Sequence, residues 1–214
     1  MSWEISKLYD LTNKIGSGVT PRGGSSVYIS EGVSLIRSQN IYNSNFTSNG
    51  LVFVDDATAL KMKNIAVQES DVLINITGDS VARCCMISKS FLPARVNQHV
   101  AILRPNKKLN SKFLMNFLVN PNMQKLLLNY AGAGATRNAL TKDLLGKMEI
   151  HYPPIQTQKR IADILSAYDD LIENNIKRIK LLEQAAQNIY KEWFVSLRFP
   201  GYENTPINEE TVLP

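Results

Sequence analysis

Residues 161–193 read IADILSAYDDLIENNIKRIKLLEQAAQNIYKEW, and their apolar spacing decides the architecture. Ile161, Leu165, Tyr168, Ile172, Asn175, Ile179, Leu182, Ala186, Ile189 and Trp193 follow one another in steps of 4 and 3 without a break. That is the a/d rhythm of a coiled coil. A stripe this long exceeds what a domain helix needs to seat itself on a core. A helix from Thr157 to Phe194 would measure about 55 Å at roughly 1.5 Å per residue. The spacing therefore predicts a dimerisation arm whose seam a second helix must cover. Asn175, near the seam's midpoint, favours one register by pairing with polar neighbours.

Upstream of the arm the pattern changes. Strand-like runs rich in Val, Ile, Phe or Tyr cover 33–41, 51–54, 72–77, 83–87, 96–103 and 148–152. A short helix is predicted over 57–63, capped by Asp55 or Asp56, and a longer one over 111–130, broken at Asn120-Pro121. Phe113, Leu114, Phe117, Leu118, Leu126 and Leu127 form its core face. Gly-, Ser- and Asn-rich loops fall at 16–24, 43–45, 78–80 and 132–138. Pro153-Pro154 ends the last strand and presets a helical turn. The fold class is thus α/β (α+β): a mixed globular domain over 1–154, one long helix over 155–195 expected to pair antiparallel as a coiled-coil dimerisation arm, and a tail over 196–214.

The 214 residues carry a formal charge of +5, unevenly placed. Residues 156–194 hold 6 Lys/Arg and 6 Asp/Glu, whereas residues 1–155 hold 17 and 10, a balance of +7. A basic domain on a neutral arm suits a polyanionic partner. No apolar run reaches the roughly 18 residues of a membrane span, and Met1-Ser2-Trp3-Glu4 lacks the form of a signal peptide. Cys84 and Cys85 are adjacent and read as core residues on a strand, with no zinc or disulfide pattern around them. A cytoplasmic protein without a membrane partner is expected.

Catalytic motifs are not apparent. Gly16-Ser17-Gly18 lacks the Gly-Lys-Ser/Thr of a phosphate loop. Asn120-Pro121-Asn122-Met123 lies inside a helical stretch, where a helix break explains it. His99 and His151 have no matched nucleophile or metal-ligand partner and read as structural or surface residues. Glu69-Ser70-Asp71 reads as a strand-entry turn. What remains suits recognition. Ser38, Gln39, Asn40, Arg83, Arg95, Asn97, Gln98, Thr136 and Arg137 lie on or beside loops. Arg matches guanine edges and Asn or Gln adenine edges in the DNA major groove. The same residue types also cap turns, and the sequence leaves both roles open.

The motifs, taken in order, resemble the specificity subunits of type I restriction-modification systems. Trp3, Leu8 and Leu11 followed by Ile15-Gly16-Ser17-Gly18-Val19-Thr20-Pro21 look like the start of a target recognition domain of that family. Leu35-Ile36-Arg37-Ser38-Gln39-Asn40-Ile41, Asp71-Val72-Leu73-Ile74-Asn75 and Asn97-Gln98-His99-Val100-Ala101-Ile102-Leu103-Arg104-Pro105 resemble its later strands. Gly134, Thr136, Leu140, Thr141 and Leu144 resemble its end. Residues 153–166, PPIQTQKRIADILS, resemble the domain-to-helix junction, and Lys191-Glu192-Trp193-Phe194 with Arg198-Phe199-Pro200-Gly201 resembles the helix end. Thr20 and Arg37 thereby join the candidate DNA contacts.

The resemblance implies a non-enzymatic subunit without a cofactor of its own. Its implied partners are double-stranded DNA, methyltransferase subunits that use S-adenosylmethionine, and restriction subunits. Family members usually carry two recognition domains and two such helices. This chain has one of each, which implies a homodimer through the helix, or else a remnant or a piece of a longer chain. Two other readings compete: an autonomous methyltransferase or nuclease component, and a coiled-coil assembly protein without a DNA role. The absent catalytic motifs weigh against the first, and the basic, loop-rich domain against the second.

Overall fold

The structure is a computed structural model that describes residues 2–132 and 139–206. In chain order the strands are β1 (Glu4–Lys7), β2 (Thr12–Ser17), β3 (Val33–Ile36), β4 (Ile41–Tyr42), β5 (Asn45–Phe46) and β6 (Val52–Val54). They continue with β7 (Ala66–Val67), β8 (Val72–Asn75), β9 (Cys84–Cys85), β10 (Ala94–Val96), β11 (Val100–Pro105) and β12 (Glu149–Tyr152). The helices are α1 (Asp56–Lys61), α2 (Ser111–Val119), α3 (Pro121–Gly132), α4 (Lys142–Lys147) and α5 (Ile155–Tyr190). Two compact units emerge, Met1–Ser166 and Ala167–Pro214. The first includes the opening turns of α5, beyond the expected boundary at Pro154.

In the first unit, the sheet β2-β11-β8-β9 is a middle layer. Its side chains alternate between two cores, as the period of a strand requires. Val72, Ile74, Cys84, Ala101 and Leu103 pack with Phe113, Leu114, Leu118, Leu127 and Leu145 of the helices. Leu73, Cys85, Val100 and Ile102 pack with Val33, Leu35, Val54, Ala94 and Val96 of the second sheet, β6-β3-β10-β7. Burial disfavours ionisation of both thiols, raising the pKa of Cys84 and pushing that of Cys85 up to about 12.

Several expectations need correction. The run 33–41 is β3, a 3₁₀ turn Ser38–Asn40 and β4. Asn40 causes the break, because its Oδ1 accepts the Arg37 N–H at 3.0 Å and closes the turn. The run 96–103 splits likewise: Asn97 Oδ1 accepts the His99 N–H at 3.1 Å, and the strands on either side enter different sheets. The run 83–87 shrinks to Cys84–Cys85. Gly16 and Ser17, expected in a loop, close strand β2 against Ala101 and Ile102. Leu126 is exposed, while neighbouring Leu127 is fully buried. The predicted break at Asn120-Pro121 and the Asp55 cap of α1, which accepts from Thr58 N–H at 2.6 Å, are found as expected.

The α-helical rhythm of the arm ends at Tyr190, and Lys191–Val195 continue as a π-helical turn. Trp193 therefore leaves the 4–3 register, because a π turn holds an extra residue. At the other end, Ile161 is half-buried against the domain core. Leu165, Tyr168, Ile172, Ile179, Leu182 and Ile189 are exposed. Among the described residues no helix is long and apolar enough to cross a membrane.

The start of α5 is fixed to the domain by Gln158, which is fully buried. Its Oε1 accepts the Asn110 N–H at 2.8 Å, and its Nε2 donates to Lys108 O at 2.9 Å and Pro153 O at 2.8 Å. Gln158→Ala should destabilise the domain by about 1–3 kcal/mol, the cost of leaving buried backbone groups unpaired. Urea unfolding of the full chain checks this; an unchanged midpoint would mean that the clamp contributes nothing.

Candidate nucleic-acid interface

Strand register gathers the loops at one end of the two sheets. Ser17 lies opposite Ala101, Asn75 opposite Val100, and Ile36 opposite Val96. The segments leaving β2, β3, β8 and β10 and the one entering β11 are therefore neighbours. Backbone bonds lock them together. Gly18 N–H donates to Val100 O at 3.0 Å, Asn97 N–H to Ile36 O at 3.0 Å, and Ile76 N–H to His99 O at 2.9 Å.

A cleft of about 740 Å³ opens at this end, lined by Ser38, Gln39, Thr77, Gly78, Asp79, Ser80, Arg83 and His99. A depression of about 430 Å³ shares Gln39 and adds Tyr42, Asn45, Thr47, Asn49 and Gly50. Fully buried Asn75 braces the cleft from beneath. Its Nδ2 donates to Ser38 O at 2.9 Å and Ser80 Oγ at 3.0 Å, joining the 38–40 turn to the 76–83 loop. Its backbone N–H donates to Arg83 O at 2.9 Å. Thr77 Oγ1 and His99 Nδ1 lie 2.6 Å apart across the cleft.

This geometry sorts the residues expected from sequence. Ser38, Gln39 and Arg83 line the cleft. Gln98 is exposed beside it, its Nε2 3.3 Å from His99 Nε2. Thr20 is half-buried just after Gly18. The others serve the fold. Fully buried Asn40 donates from Nδ2 to Thr47 O and Asn49 O, at 3.0 and 3.2 Å. Arg37 donates to Gly50 O at 2.6 Å and lies over the Tyr28 ring at 5.6 Å. Arg95 donates to Ala59 O and Ala94 O, both at 3.0 Å, and partial burial lowers its pKa. Asn97, also buried, closes the turn before β11. Thr136 and Arg137 lie outside the described residues. Thr77, Asp79, Ser80, Tyr42 and His99 were not among the expected contacts. The loops 43–45 and 78–80 were the available signals for Tyr42, Asp79 and Ser80, and Asn97-Gln98 for His99.

Residues 2–184 match the family model of the type I restriction modification DNA specificity domain. The chain belongs to that family. The type I restriction enzyme MjaIX specificity subunit of Methanocaldococcus jannaschii is 26% identical over 210 residues, 97% of this chain and 47% of that protein. The HindI specificity subunit of Haemophilus influenzae is 25% identical over 165 residues, 76% of this chain and 36% of that protein. The chain thus spans about half the length, or less, of the curated relatives it matches. Solved structures share the fold. The S subunit of a type I system from M. genitalium superposes with a TM-score of 0.65 at 15% identity, covering 91% of this chain and 46% of that one. The HsdS subunit from Thermoanaerobacter tengcongensis gives 0.56 at 21% identity, with 85% and 40% covered.

Gly18 sits where the segment leaving β2 meets the turn before β11. A Cβ there would lie 1.9 Å from Val96 O and 2.4 Å from Asn97 O, and backbone cannot step aside as a side chain can. Gly18→Ala should cost about 1–3 kcal/mol as overpacking and displace the Asn97–His99 turn. Urea unfolding, with the His99 ring proton resonances as a local probe, measures both. An unmoved midpoint and unshifted resonances would show that the contact is not limiting.

Proposed function

We propose that this chain selects the DNA target of a type I restriction-modification complex as a non-catalytic subunit. The observation that carries the reading is the polar, arginine-bearing cleft at the shared loop end, on a domain whose residues 1–155 hold 17 basic against 10 acidic side chains. Phosphate attraction would supply affinity and cleft side chains the discrimination between bases. The expected partners are double-stranded DNA, methyltransferase subunits carrying S-adenosylmethionine, and restriction subunits. The chain itself needs no cofactor in this scheme, and its place of action is the cytoplasm.

A second copy of the chain is the proposed cover for α5. Tyr168, Ile172, Ile179 and Leu182 are 54–63% exposed, and Ile164, Leu171 and Ile176 widen the same stripe. Asn175 lies within it and Ala186 continues it. Burying each large side chain contributes up to about 1.5–3 kcal/mol. Light scattering of the purified chain should give the mass of two 24.0 kDa chains. Ile179→Asp should reduce it to one by placing an unpaired charge in the seam. A monomeric wild type would overturn self-pairing.

Two-fold pairing presents one recognition surface twice in inverted sense. The methylated target in the host should then comprise two short inverted half-sites separated by unread base pairs. Sequencing of methylated bases reads this directly. An asymmetric motif would mean that a different subunit supplies the second recognition domain, and a continuous one would refute the paired-arm arrangement.

A further inference from the structure

Among the described arginines at the loop end, Arg83 combines a guanidinium without a hydrogen bond with an aromatic contact, whereas exposed Arg22 has neither. The guanidinium groups of Arg37, Arg95 and Arg104 are engaged by backbone carbonyls or by Asp71. That of Arg83 makes no hydrogen bond or ion pair among the described residues. Its contact is the Tyr42 ring, whose centroid lies 5.0 Å from Arg83 Cζ. Tyr42 is 46% exposed, so the contact borders solvent; Arg83 lines the cleft and Tyr42 the neighbouring depression.

The stack is held from both sides. Cys84, which follows Arg83, donates its N–H to Asn43 Oδ1 at 3.2 Å and accepts the Ser44 N–H at 3.0 Å. Asn43 and Ser44 are the turn of the β4–β5 hairpin that carries Tyr42. Arg83 O accepts the Asn75 N–H, and Arg83 N–H donates to Ser80 O at 3.2 Å. Two backbone segments distant in sequence are thus bolted together next to the guanidinium and next to the ring. A guanidinium held against an aromatic face, with its fork of donors unbonded among the described residues, matches two acceptors side by side. Asp79 lines the same cleft. Its carboxylate opposes a phosphate there but not a neutral base edge.

We infer that Arg83 reads a guanine, through its O6 and N7 acceptors in the major groove, and that Tyr42 is the positioning residue that holds the guanidinium for this contact. The inference rests on the proposed DNA-selecting role and assigns it one base and one residue pair.

The test is selection of duplexes from a pool with a randomised central region, using the full chain and its variants. The wild type should enrich a motif containing a guanine. Arg83→Ala should reduce the preference at that one position about tenfold or more and leave the other positions enriched. Arg83→Lys should keep binding to an unrelated duplex and its salt dependence, yet weaken the same position, because an ammonium lacks the planar fork. Tyr42→Leu should weaken that position, and Tyr42→Phe, which keeps the ring face, should restore it. Circular dichroism melting confirms that each variant is folded. Loss of an A·T position instead, retention of every position in Arg83→Ala, or equal losses in Tyr42→Phe and Tyr42→Leu would overturn the inference alone. A wild type that enriches no motif would overturn the DNA-selecting role, and this inference with it.

Discussion

Burial of one sheet on both faces is the constraint from which the rest of the domain follows. The strands β8 and β11 lie inside β2-β11-β8-β9, so every side chain of Val72–Ile74 and Val100–Leu103 meets protein. Both strands must therefore be continuous apolar runs with no polar alternation. These two inner strands carry polar residues, Asn75 and Arg104, only near where they stop. Here the stops coincide at one end, and the turns there carry the side chains that face solvent. The location of the candidate interface is thus a corollary of the core.

Arginine illustrates how far the same residue type can diverge. Arg104 holds Asp71, itself 2% exposed, through bonds of 2.7 and 2.8 Å, and reaches Ala66 O at 3.1 Å. The bond to Asp71 raises its pKa further, so it stays charged. Asp71 also accepts the Gln68 N–H at 2.7 Å. The two residues tie the start of β8 and the end of β11 to the strand β7 of the other sheet. Leaving either partner alone would strand a buried charge or several donors. The pair belongs to the architecture, whereas Arg83, its donors unpaired among the described residues, lines the cleft.

What was legible in the sequence was what is local. The 4–3 spacing after Ile161 announces α5, Asp55 announces its helix, and Pro121 a helix break, because each signal and its effect lie within a few residues. Strands β1 and β2 escape notice. EISK and TNKIGS carry no apolar alternation, and β1 pairs with β12, far along the chain. The turn at Asn97–His99 is hidden inside a run that reads as one strand. The same limit applies to the site. Ser38, Gln39 and Arg83 were readable as loop residues, but Arg95 was not separable from them. The carbonyl it meets belongs to Ala59, 36 positions away.

The pairing of β1 with β12 has an evolutionary consequence. Glu4 lies opposite Tyr152 and Lys7 opposite Glu149, so the first and last strands of the domain lie side by side. A segment bounded this way can be excised, duplicated in tandem or exchanged for a homologous one without rethreading anything around it. Gln158 then supplies a common socket, because it grips backbone atoms of Lys108, Asn110 and Pro153 instead of side chains that would vary between versions. Recombination at these two points would leave the helix and its socket unchanged.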